Sequence, residues 1–326
     1  MSALTYFFKN FTAIFLAILT SFTSMSLVNR GSADEALLSV AAISDTHITK
    51  ELYRRVVLVP GLEDISKRVK PDVLLVAGDC TDNGNEENWA AFQELMQKHA
   101  RVEHSVIVLG NHDTWTSYDT PHDYEPAREN FLRYSNAIMG TDHTEVWYTY
   151  EANGYAFIVL GSEGTGVGED LSDGQLRWLD AEMAKAAGAS PEKPIFVINH
   201  QPMNFTHAVG DNENGNGIDT EGASEKLQAI MDKYDNVFYI SGHQHYGLND
   251  GSQGFPEGFS TVEKVGEHIT SINLPSYEYG SFATGGNAFI GQGLVINVYA
   301  DRVELLGRNF AAGSWVRNFT VTVPLA

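Results

Sequence analysis

Short runs of aliphatic and β-branched residues recur along the chain, and each of five ends in a cluster of polar side chains. Leu38–Ile43 (interrupted only by Ser39), Ile195–Ile198 and residues 73–77, 106–109 and 238–240 are largely apolar runs, the pattern of strands buried on both faces. They lead respectively into Asp45-Thr46-His47, Asn199-His200, Gly78-Asp79-Cys80-Thr81-Asp82, Gly110-Asn111-His112-Asp113 and Gly242-His243-Gln244-His245. Between the runs the apolar spacing lengthens to that of helices. Trp89, Phe92, Leu95 and Met96 mark one helix over Glu86–His99, and Leu176, Trp178, Leu179 and Met183 mark another that Ser172 caps. Further helices are expected over residues 61–69, 126–139 and Ala223–Met231, and residues 146–150 and 155–160 flank Ala152-Asn153-Gly154 as a hairpin.

Beyond residue 250 the character changes. Residues 268–273, 293–299, 302–306 and 315–323 are short β-runs divided by Gly, Asn and Asp, with Ala300-Asp301 as a tight turn. These runs predict a second sheet packed on the first. The expected fold is therefore α/β: a β-sandwich of two mixed sheets flanked by helices, with a site where strand ends gather.

Several bulk features narrow the function. The 326 residues carry 42 acidic against 21 basic side chains, a net charge of -21. Such an acidic surface repels nucleic-acid backbones, so no long nucleic acid is expected as a partner. A small anionic substrate fits, because a metal centre outweighs the distant surface field at contact range. Lys9, the apolar stretch 11–19 and Gly31-Ser32-Ala33 resemble a signal peptide over residues 1–33. Export is the expectation, with a retained membrane anchor as the alternative, and residues 34–326 form one domain. Cys80 is the sole cysteine, so no internal disulfide supports the exported fold.

Carboxylate, imidazole and amide groups collected at one sheet edge suit one or two divalent transition metals. Asp45 and His47, two apart on an extended chain, would point to the same side and share a cation. The Asp79 carboxylate has two oxygens and can bridge two cations. Asn111 offers a carbonyl oxygen, and His200, His243 and His245 offer imidazole nitrogens. Any one of these clusters alone is unremarkable as sequence. Their occurrence together, each at a strand end, is what carries the reading.

The order Asp45-x-His47, Gly78-Asp79-x-x-Asp82, Gly110-Asn111-His112-Asp113, His200, Gly242-His243-x-His245 resembles that of calcineurin-like metallophosphoesterases. The resemblance implies that Asp45, His47 and His245 hold one metal and Asn111, His200 and His243 the other, with Asp79 bridging. It implies that His112 meets the substrate, with Asp113 accepting its other ring proton, and that Asp82 supports the ligands from behind or caps a loop. His47 and Asp82 stand where the purple acid phosphatase branch has glycine and an iron-binding tyrosine, so no tyrosinate-iron centre is expected. The implied cofactors are two divalent ions, Mn, Fe or Zn. The implied reaction is hydrolysis of phosphomono- or phosphodiesters by a metal-bridging hydroxide.

Trp115, Tyr118, His207 and Tyr246 lie close in sequence to ligand positions and are candidates for substrate contact. The stretch 210–222 reads as a loop near the site with a trace of calcium-loop composition. Two other classes compete: a catalytically silent binding protein on the same fold, which has no need of intact ligand clusters, and a nuclease, which the shortage of Lys and Arg disfavours. No protein partner is implied, and contact with a membrane only if residues 1–33 are retained.

Overall fold

The computed structural model describes residues 35–118, 122–209, 216–249, 257–278 and 290–326. The first half alternates strand and helix: β1 (Leu38–Ile43), α1 (Leu52–Asp64), β2 (Val73–Val76), α2 (Glu86–His99), β3 (His104–Ile107) and α3 (Tyr124–Met139). A hairpin of β4 (Tyr148–Ala152) and β5 (Tyr155–Val159) precedes α4 (Asp173–Ala189), β6 (Ile195–Ile198), α5 (Ala223–Met231) and β7 (Val237–Ser241). The chain closes with β8 (Val262–Val265), β9 (Ile269–Asn273), β10 (Gln292–Val298), β11 (Arg302–Asn309) and β12 (Ser314–Pro324).

Two mixed six-stranded sheets result, in the orders β12-β11-β10-β1-β2-β3 and β4-β5-β6-β7-β9-β8. Their facing sides share one apolar core, in which Val40, Leu75 and Ile296 of the first sheet meet Phe157, Phe196 and Ile240 of the second. The outer face of the first sheet packs Ile43, Leu74 and Val76 against Leu58, Trp89, Phe92 and Phe131 of α1, α2 and α3. The outer face of the second packs Val197 and Tyr239 against Leu179, Met183 and Leu227 of α4 and α5. Strands covered on both sides need continuous apolar sequence, and β2 and β6 are buried at every position.

Three expectations need correction. The last strands do not make the second sheet. Strand β10 pairs antiparallel with β1, Leu38 opposite Val298, so β10 to β12 extend the first sheet and only β8 and β9 join the other. The one polar residue of β1, Ser39, donates its hydroxyl to Asn297 Oδ1 of β10 at 2.9 Å, but a single serine does not announce that partner in the sequence. The first helix starts at Leu52 rather than near Gly61, runs through Pro60, and continues into a π-helical turn over Ile65–Val69. Proline usually ends a helix by removing a hydrogen bond, but here Leu58, Leu62 and Ile65 are buried against the sheet and hold the helix through it. The strand β8 was not foreseen, since its sequence, VEKV, carries two charges. No described helix is long and apolar enough to cross a membrane, and the leader expected over residues 1–33 lies outside the described residues.

Candidate metal centre

The polar clusters converge where β1, β2, β3, β6 and β7 end, and their backbones do not continue as strands. Asp45, His47, Asp79, His243 and His245 all have positive φ, between 42° and 72°. The extended geometry expected for Asp45 and His47 is therefore wrong. Left-handed backbone at residues other than glycine costs about 1–3 kcal/mol each and persists only where surroundings enforce it. Here the enforcing contacts are main-chain bonds between loops: Asp45 N to Gly78 O at 3.1 Å, His47 N to Asp79 O at 2.9 Å and Gly242 N to His200 O at 2.9 Å. Gly78, with φ of 89°, lies against the His200 ring so closely that a Cβ would collide with it.

Two sets of potential ligand atoms gather there, each set within 4.8 Å: Asp45, His47, Asp79 and His245 in one, and Asp79, His200 and His243 in the other. In the first, His245 Nε2 is 3.0 Å from Asp45 Oδ1 and 3.1 Å from His47 Nε2. In the second, His200 Nε2 is 3.2 Å from Asp79 Oδ2, and His243 Nδ1 is 3.0 Å from Asn111 Oδ1, which brings the Asn111 carbonyl to that set. Asp79 Oδ2 belongs to both, since it is also 3.8 Å from His47 Nε2. A third grouping of His47, Asp82 and His112 suits a cation less well, because the Arg54 guanidinium is 2.9 Å from Asp82 Oδ1.

These groups fit metal ions chemically. Asp45 Oδ1 and His200 Nε2 are buried and neither makes a hydrogen bond of proper geometry, an expensive arrangement unless something else satisfies them. Burial pushes the Asp45 and Asp79 carboxyls up, but the surrounding imidazoles outweigh it and hold both well below the carboxylate range. Burial lowers His200, yet the carboxylates of Asp79 and Asp45 raise it to about 10. Burial holds His47 well below its ordinary value and His243 at about 4. Ionised carboxylates facing imidazoles in a dry cleft are the donors a divalent transition ion takes.

Residues 38–247 match the family model described as Calcineurin-like phosphoesterase. The chain belongs to the calcineurin-like phosphoesterase family. A protein of Rhodococcus erythropolis named as a probable cyclic nucleotide phosphodiesterase is 29% identical over 227 residues, 66% of this chain and 67% of that relative. One of Arcobacter nitrofigilis, named as a probable glycerophosphodiester phosphodiesterase, is 26% identical over 219 residues, 63% and 71% of the two chains. Among solved structures, GAP50, the anchor in the inner membrane complex of Plasmodium, superposes with a TM-score of 0.51 at 14% identity, covering 89% of each chain. That likeness concerns the fold alone.

Around this calcineurin-like centre the structure revises several roles. Asp113 does not face the His112 ring. Its buried carboxylate accepts from Cys80 N, Thr81 N, Thr81 Oγ1 and Gly110 N at 2.6–3.1 Å, tying the loops after β2 and β3 together. Burial, and then the charge of Asp79, raise that carboxyl to about 6. It is the Asp82 carbonyl that lies 2.9 Å from His112 Nδ1. A carbonyl can only accept, so Nδ1 carries the proton and Nε2 keeps its lone pair. Asp82 thus makes two contacts beside the candidate centre, its carbonyl with His112 and its carboxylate with Arg54.

The candidates for substrate contact divide. Trp115 tilts against the His112 ring at 4.7 Å and donates Nε1–H to Thr165 O, while Tyr118 stands half-exposed beside them with its hydroxyl on Asp82 O. Both border the site. His207 does not, being fully buried, with Nδ1 2.6 Å from Ser260 O and Nε2 2.8 Å from Ser271 Oγ. Tyr246 leans on Phe259, with ring centroids 4.6 Å apart. Residues 210–215 of the loop over 210–222 lie outside the described residues; its Asn216 carbonyl accepts from Gln244, between the two histidines.

Sequence reasoning passed over Arg54, Glu278 and Glu169. Arg54 and Glu278 meet beside the first set. Glu169 is fully buried near His200, neither carboxylate oxygen makes a hydrogen bond, and burial raises it to about 8. Each acts through neighbours remote in sequence, and no local motif marks them.

Proposed function

We propose that this chain hydrolyses small phosphodiesters with two divalent transition metals. One would be held by Asp45, His47 and His245 and the other by Asn111, His200 and His243, with Asp79 shared. The single observation that carries the reading is Asp79 Oδ2, placed between His47 Nε2 and His200 Nε2 so that one carboxylate serves both ligand sets. When bound, such a pair supplies a water of lowered pKa and neutralises the phosphoryl oxygens.

The protein's own part is positioning and proton transfer. The Asp82 carbonyl holds the His112 proton on Nδ1, so protonation at Nε2 gives an imidazolium able to deliver that proton to the departing alkoxide. Asp79 Oδ1 accepts from His112 N at 2.9 Å, which fixes the backbone of that residue against the shared ligand. Diesters rather than monoesters are favoured by the names of the two curated relatives above, both phosphodiesterases. A fold can also serve as a scaffold, so it is the ligand sets and not the architecture that support hydrolysis.

Metal analysis of the purified protein, with hydrolysis of nitrophenyl mono- and diesters, tests the proposal. Two bound ions and metal-dependent diester turnover are expected. Bound metal without hydrolysis of any phosphoester would favour a silent scaffold. Export, which the leader-like residues 1–33 support, is checked by locating the protein and sequencing its N-terminus.

A further inference from the structure

Arg54 enters no motif, yet its contacts join three separate segments of the centre. It lies in the first turn of α1, only 14% of its side chain exposed. Nη1 donates to His47 O at 3.0 Å and reaches Asp82 Oδ1 at 2.9 Å and Glu278 Oε2 at 3.4 Å. His47 follows β1, Asp82 follows β2, and Glu278 follows β9. The third segment is bonded to the first, since Tyr277 N and Glu278 N donate to Ser44 O and Asp45 O at 2.9 and 3.2 Å.

The bond to His47 O matters most. His47 has φ of 42°, outside the range its side chain prefers. Asp79 O accepts from His47 N and Arg54 donates to His47 O, so the left-handed residue is gripped on both sides. All three contacts are made by Nη1, one nitrogen of the rigid guanidinium plane, so where that plane holds the atom matters as well as its charge. A lysine keeps the charge and loses that geometry.

We infer that Arg54 is a positioning residue that fixes the ligand set of Asp45, His47, Asp79 and His245 selectively over the set built on His200 and His243. The second set is braced by other means: His200 Nδ1 is 2.8 Å from Ala77 O, and the ring rests on Gly78. This inference rests on the two-metal reading. An ion pair that only stabilises the fold would instead lower melting temperature and affect both metals alike.

Cobalt titration of metal-free protein, followed by visible absorption and elemental stoichiometry below the melting temperature, separates these cases. Wild type is expected to take up two ions; fewer than two would sink the two-metal reading, whatever Arg54 does. In Arg54→Ala, one ion should bind within about 2-fold of wild type and the other about 10–100-fold more weakly, the range for residues that orient ligands. In a His243→Ala background Arg54→Ala should weaken the remaining ion, and in a His47→Ala background it should not. Arg54→Lys, a milder change should the alanine variant fail to fold, must show the same one-sided loss. Unchanged affinity for both ions, or equal loss at both, overturns the inference.

Discussion

The two ligand sets share Asp79 but are braced differently. Around His47 the main-chain bonds to Asp79 are joined by a chain of charged side chains, Arg54 with Asp82 and Glu278, partly open to water. Around His200 it is main chain, the Ala77 carbonyl and the bare backbone of Gly78. Charge networks tolerate small movements but respond to salt, whereas a backbone cradle is insensitive to salt and fails when a single atom is added. One centre can therefore be perturbed from either side by changes of different kinds.

Replacing the shared carboxylate removes the distinction altogether. Asp79→Asn should bring metal-dependent turnover to background and weaken both ions, as elemental analysis would register; two ions retained at full affinity would refute its shared role. His112→Ala should lower kcat by about 10²–10⁴-fold with both ions kept, and loss of metal in that variant would make His112 a ligand instead. Gly78→Ala strikes the backbone-braced set. Its φ of 89° and the adjoining ring predict a loss of about 1–3 kcal/mol in stability, with the His200 ion weakened more than its neighbour in a cobalt titration.

Acidity gives the subtlest separation. His200 is raised to about 10, so the stability its proton confers is complete below its ordinary value of 6.5 and is lost as pH rises toward 10. Glu169 is raised to about 8 from 4.5, so it too binds its proton more tightly when folded, and stability falls between those values as pH rises. Both slopes have the same sign and overlap between 6.5 and 8. The melting temperature of metal-free protein should decline across that interval, and Glu169→Gln should flatten the decline by a few degrees. A melting temperature that rises with pH would contradict both assignments.

Much of this was visible in the chain itself. Buried strands are mostly apolar, so Leu38–Ile43 and Ile195–Ile198 announce themselves, and polar groups directly after them sit at one sheet edge. Long-range choices left no such mark. That β1 pairs with β10 depends on shape and register, and that Asp113 bonds loop amides rather than His112 depends on how two loops meet. The left-handed turns at Asp45 and His47 are set by contacts with Gly78 and Asp79. Residue preference alone argues against them, which is why strand-like geometry was the natural expectation.

The pairing of β1 with β10 also bears on how the molecule comes into being on the ribosome. The strand that leads into Asp45 and His47 is translated well before its antiparallel neighbour Gln292–Val298. Until then one apolar edge of the nascent sheet is open to wrong partners, and high contact order makes closure slow. Slow closure of the first sheet follows from that one seam.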